Sequence, residues 1–188
     1  DRFKLETLSA PEFVRTPGYL IDGEYFSASD LATKQPATAE ALKRILDTKS
    51  GFVSRGDQSG THKAEQKLWQ QSNIVPDKDP KYFSAGQGMI STLNMAAEKQ
   101  AYALTDRGTW ITFADKMGDK NPLAIVVEGD KALFNQYSVI MVNPAQCPKV
   151  NTALAQKFED WWVAPATQQK IAGYTLKGKQ LFFPNANK

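Results

Sequence analysis

The sequence is poor in the residues that hold metals and form covalent bridges. Its 188 residues include one cysteine and one histidine. A lone Cys147 cannot close an internal disulfide, and it reads as a small buried hydrophobe. With His62 the only histidine, neither a Ser-His-Asp constellation nor a multi-histidine metal site is evident. No apolar run approaches the roughly 18 residues needed to span a bilayer. Charge of one sign is lacking too: 23 basic residues against 20 acidic ones leave a net +3. That balance, with no long basic run, argues against a nucleic-acid partner. Asp106, Glu128 and Asp130 form no obvious catalytic pair, so no catalytic residue is assigned and the chain is not read as an enzyme. The numbering starts at Asp1, with no methionine and no signal peptide, as in a mature, trimmed or partial chain.

What is present is a packed α/β pattern. Hydrophobic residues make up 41% of the chain, enough for a real core. Between Thr38 and Val142 short apolar runs alternate with helical periodicity, which predicts an α/β sheet with helices on its faces. In open sheets of this kind ligands sit at the carboxyl ends of the strands.

The segment Phe52-Val53-Ser54-Arg55-Gly56-Asp57-Gln58-Ser59-Gly60-Thr61-His62 has the grammar of strand, tight loop and helix. Gly56 and Gly60 allow a turn or a close backbone approach. Ser59 and Thr61 are favoured helix N-cap types. A helix start carries unpaired N–H groups and partial positive charge, so it can seat an anion. Arg55 adds a planar fork of donors suited to a tetrahedral oxyanion. The plainer reading is a capped βα connection with Arg55 paired to Asp57, and the residues alone leave both open.

The rest of the chain is read around that loop. Residues 1–37 are broken by Pro11, Pro17, Pro36 and glycines, with a possible hairpin turning at Asp22-Gly23. Thr38 is expected to cap a helix with Ala41, Leu42, Ile45 and Leu46 on one face. The helix after Thr61 runs to about Asn73, with His62 exposed or capping. Residues 81–84 form a strand leading into a second small-residue turn at Ala85-Gly86-Gln87-Gly88. Gln87 or a backbone N–H there reaches a ligand, or the turn is an ordinary βα connection. Tyr102-Ala103-Leu104 is a short buried strand, and Thr105-Asp106 caps the next helix. Arg107 is a second candidate anion donor or a loop-holding salt bridge. Leu123–Val127 reads as a central strand covered on both faces. Tyr137–Val142 reads as another strand, followed by a helix packing Leu154, Phe158, Trp161 and Trp162 inward, and the tail at Leu181–Pro184 packs back on the body.

The segment 52–68 resembles the tungstate-binding proteins of ABC importers, the TupA type. The resemblance continues through Ser84–Met89, Thr92–Tyr102, Leu104–Thr109, Val127–Asp130, Val142–Pro144 and Leu181–Asn185, covering roughly residues 38–186. The Arg-x-x-x-Ser-Gly-Thr spacing is also similar to that of phosphate-binding periplasmic proteins of the same superfamily. The resemblance implies a type II periplasmic-binding-protein lobe: a central mixed sheet flanked by helices, with the first lobe incomplete. Residues 1–37 read as an irregular segment of unclear origin; the resemblance implies an anion-binding lobe at 38–133, and a return strand and C-terminal helices of the other lobe at 134–188. The anion-binding set is then Arg55, Ser59, Gly60, Thr61, Gln87 and Gly88, with no metal and no cofactor. The ligand is tungstate or molybdate, and the partner is an ABC permease in the membrane. Localisation is periplasmic or extracellular.

One departure stands out. The family's early Thr-Thr-Thr-Ser loop, which supplies hydroxyls to the anion, occurs nowhere in this sequence. A second copy or a missing N-terminal segment would then complete the site. The alternatives are a phosphate-type oxyanion receptor and a truncated, receptor-derived sensing or interaction module.

Overall fold

A computed structural model describes residues 12–15 and 37–186. The chain divides into two compact units, Asp1–Asn135 and Gln136–Lys188.

Among the described residues of the first unit five strands form a mixed sheet. They are β1 (Glu12–Arg15), β2 (Phe52–Ser54), β3 (Tyr82–Ser84), β4 (Tyr102–Thr105) and β5 (Ala124–Val127), in the order β3-β2-β4-β1-β5. β2 runs parallel to both β3 and β4, whereas β1 is antiparallel to β4 and β5. The connecting helices are α1 (Ala37–Asp47), α2 (Gly60–Gln71), α3 (Met89–Lys99) and α4 (Arg107–Met117).

Strand alternation builds two cores. Successive side chains of a strand point to opposite faces. Phe52, Tyr102 and Leu104 therefore join Ala41, Leu42 and Ile45 of α1 and Leu68 and Trp69 of α2. Val53, Ala101 and Ala103 turn the other way and meet Ala96 of α3. Farther along that side Met89 and Leu93 pack with Trp110, Phe113 and Leu123. Small residues at 96, 101 and 103 let α3 lie close to the sheet. Large aromatics lock α2: the Phe52 and Trp69 rings meet edge to face at 5.0 Å, a geometry worth about 1 kcal/mol beyond the area it buries.

Several expectations change. The hairpin at Asp22-Gly23 lies outside the described residues. Thr38 is inside α1 and does not cap it; its N–H donates to Asp130 Oδ2 at 2.7 Å, across 92 residues of chain. Among the described residues the run at 123–127 supplies an edge strand where a central one was expected. β5 pairs with β1 alone among the described residues, and Ala124 to Val126 stay half-buried.

The second unit holds α5 (Thr152–Val163), α6 (Pro165–Gly173) and a two-stranded hairpin, β6 (Thr175–Leu176) with β7 (Lys179–Gln180). The run 137–142, expected as a return strand, has no regular structure, and Ile140 is 85% exposed. A strand needs a neighbour for its backbone groups, and the described residues offer this run none. The helix face expected to point inward is open: Leu154 is 61% and Trp161 50% exposed. Phe158 stacks on Trp161 at 5.8 Å within that face. In the tail, Phe182 meets Tyr137 and Tyr174 edge-on or tilted. Cys147 is exposed, not buried, and lies in a loop.

Candidate functional site

Three parallel strands end side by side, and each hands the chain to a helix start. β2 leads through residues 55–59 into α2, β3 through 85–88 into α3, and β4 through Asp106 into α4. The loops after β2 and β3 touch. Ala85 N–H donates to Ser54 O at 2.9 Å, extending the ladder past the strands. Gly56 has φ +65°, and a side chain there would run into the Ser84 hydroxyl. Glycine at 56 is thus needed twice, for its backbone angle and for the close approach.

The loop at 55–59 is held from within. Asp57 Oδ2 accepts Arg55 Nε at 2.8 Å, and its Oδ1 accepts the Ser59 N–H at 3.1 Å. Bonds to Ser59, helped by the smaller Arg55 contacts and opposed by desolvation, hold the Asp57 carboxyl below its ordinary pKa. The plainer reading of Arg55 is therefore present, but it uses Nε. A guanidinium has five N–H donors, and the four on its terminal nitrogens lie beyond that bond. Arg55 and Asp57 are both partly exposed.

Ser59 is the N-cap of α2, and its hydroxyl accepts the His62 N–H at 3.3 Å. Lys63 N–H is taken by Ser59 O. That leaves the N–H groups of Gly60 and Thr61 without an acceptor among the described residues, the orphan donors of a helix start. Thr61 Oγ1 is likewise without a partner among them. A Cβ built on Gly60 meets nothing within 4 Å, so packing alone does not demand glycine there.

Gln87 and Gly88 are exposed in the second loop. Gly88 is the N-cap of α3 and provides no side-chain cap. The structure thus brings the loops holding Arg55, Ser59, Gly60 and Thr61 and holding Gln87 and Gly88 to neighbouring strand ends, about 5 Å apart in the ladder direction. Arg107 is placed differently. It is buried at the start of α4, and its guanidinium meets Glu128 Oε2 at 3.5 Å. The salt-bridge reading holds for it.

Two residues were undervalued from sequence. His62, expected exposed or capping, is only 7% exposed. Its Nδ1 accepts the Gln58 N–H at 3.0 Å. Glu65 is 2% exposed beneath the loop. Its carboxylate accepts Ser54 Oγ and Tyr82 OH, each at 2.7 Å, and Trp69 Nε1 at 3.1 Å. Burial raises its pKa, against the pull of those three donors. A signal existed, since Glu65 lies three and four residues before Leu68 and Trp69, on the apolar stripe of α2. Among the described residues no cluster of side chains suits a metal ion.

Comparison with known proteins identifies the family. A family model for the PBP superfamily domain matches residues 26–166. The tungstate-binding protein TupA of Peptoclostridium acidaminophilum is 46% identical over 150 residues, covering 79% of this chain and 51% of that protein. The TupA of Campylobacter jejuni is 40% identical over 174 residues, covering 92% and 65%. The chain thus spans between about half and two thirds of the length of these curated relatives. Among solved structures, the tungstate-binding protein TupA from Desulfovibrio alaskensis superposes with a TM-score of 0.80 at 46% identity, covering 95% of this chain and 68% of that one. The chain belongs to the PBP superfamily and, within it, to the TupA-type family of tungstate-binding proteins.

Proposed function

We propose that this chain captures a tetrahedral oxyanion, tungstate first and molybdate second, as the solute-binding part of an ABC importer. The observation that carries the reading is the surplus of donors at the strand ends. The Arg55 terminal nitrogens, the Thr61 hydroxyl and the N–H groups of Gly60 and Thr61 belong to one loop and the helix start it leads into. Ser59 is the cap of that helix, and Gln87 and Gly88 lie in the loop that follows the neighbouring strand. Stripping water from a dianion costs many kcal/mol, so its site must saturate it with donors.

Ligand choice follows from protons. Tungstate and molybdate carry none near neutral pH and need donors only. Monohydrogen phosphate carries one and needs an acceptor. Asp57 is the only acid in the loop, and both its oxygens are already engaged by Arg55 and Ser59. Each oxygen keeps a second lone pair, so the preference for a fully deprotonated anion over the phosphate-type alternative rests on the relatives that carry tungstate in their names.

In this reading residues 38–133 form the anion-binding lobe and 134–188 belong to the other lobe. The protein works in the periplasm or outside the cell, delivers its anion to a membrane permease and performs no catalysis. Among the described residues no helix is long and apolar enough to cross a membrane.

Calorimetric titration of Arg55→Ala tests the site. The variant is expected to lose roughly 2–4 kcal/mol of tungstate affinity with little change in thermal stability, because Arg55 is at the surface and its main partner is the ligand. Binding as tight as the parent's would remove Arg55 from the site.

A further inference from the structure

We infer that His62 is a positioning residue for the anion loop, acting as a hydrogen-bond acceptor that fixes Gln58. This rests on the oxyanion reading of that loop. Gln58 has φ +62°, a left-handed conformation that a residue with a Cβ seldom adopts. Such angles persist where surrounding contacts enforce them. The contact here is the bond from Gln58 N–H to His62 Nδ1 at 3.0 Å. The imidazole is buried, and its own N–H on the backbone is tied to Ser59 Oγ. The first turn of α2 thus reaches back and pins the residue midway between Arg55 and the helix start. The Asp57 carboxylate closes the same turn from Arg55 to Ser59.

Anion binding by a mobile loop must spend part of its free energy on ordering that loop. A loop already held in its turn presents the Arg55 fork and the Gly60 and Thr61 N–H groups at their final spacing. His62 need not touch the anion to matter. Its part is to accept, which requires Nδ1 to be unprotonated and the proton to sit on Nε2.

Two amides separate this role from packing. The side-chain oxygen of asparagine stands where Nδ1 stands, whereas that of glutamine reaches toward the Nε2 position. His62→Asn is expected to keep tungstate affinity within about threefold of the parent, and His62→Gln to lose about tenfold, the worth of one hydrogen bond. Amide exchange at Gln58, followed without ligand, is expected to quicken in His62→Gln and stay slow in His62→Asn.

Both variants are titrated beside the parent and Arg55→Ala. If Arg55→Ala loses the anion while both His62 variants bind like the parent, His62 has no positioning role and the oxyanion reading stands. Equal losses in both variants, with equal Gln58 exchange, would reduce His62 to a space-filling residue. If the parent takes up no tungstate, the oxyanion reading fails and this inference with it.

Discussion

Glu65 is the residue on which the neighbourhood of the loop depends most. One carboxylate collects a strand end, a helix ring and a neighbouring strand's phenol: Ser54, Trp69 and Tyr82. Removing it orphans two buried donors, Ser54 and Trp69, and the half-buried Tyr82 hydroxyl, so Glu65→Leu is expected to cost about 3 kcal/mol in denaturant unfolding. Glu65→Gln should cost less than about 1 kcal/mol, since the amide oxygen can accept Tyr82 and Trp69 and the amide nitrogen can donate to the Ser54 hydroxyl. The pH dependence has a definite sign. Burial raises the folded pKa above the ordinary 4.5. The carboxyl's contribution is therefore complete below that value and is lost as pH rises through the folded pKa. Glu65→Gln should gain on the parent between pH 4 and pH 7; a constant difference would contradict the account. At this scale the sequence showed the Arg55–Asp57 pair and the Ser59 cap but not the contacts of His62 or Glu65. The first pair follow from local chain geometry. The second pair take their roles from partners that only the folded loop and sheet bring near, though the polar residue on an apolar stripe was visible.

Among the elements, α1 shows how a helix start is satisfied from a distance. Its residues read correctly as helix, because Ala41, Leu42 and Ile45 form a clean apolar face and all three are buried. The cap was misread, because the acceptor for the Thr38 N–H is Asp130, reached only when the end of β5 folds beside α1. Burial works against the Asp130 carboxylate, but bonds from Thr38 and the Ala132 N–H outweigh it and lower its pKa. Its contribution is thus present above the ordinary 3.8 and lost as pH falls through the folded value. Asp130→Ala is expected to cost about 1–2 kcal/mol at neutral pH. In thermal unfolding scans that difference should shrink in acid. A difference that persisted there would mean that Asp130 acts through packing and not through its charge. Runs 123–127 and 137–142 carry the same lesson. Both are apolar and continuous, yet among the described residues one is an edge strand and the other no strand, because hydropathy does not say whether a partner strand is present.

At the scale of the whole molecule, the superfamily was legible because its motifs recur in order along most of the chain. The α/β alternation was legible because strand runs and helical stripes have different periods. Burial in the second unit was not legible. The spacing of Leu154, Phe158 and Trp161 describes an apolar face without stating what covers it, and in this structure it is open. The central claim is that the donors at the ends of β2 and β3 form an oxyanion site favouring an anion without a proton. Calorimetric titration of the 188-residue chain with tungstate, molybdate, phosphate and sulfate tests it most directly. The account predicts tungstate binding with a dissociation constant below about 1 µM, some −8 kcal/mol, and much weaker heat with phosphate. No heat with tungstate or molybdate, or tighter binding of phosphate than of either, would contradict it.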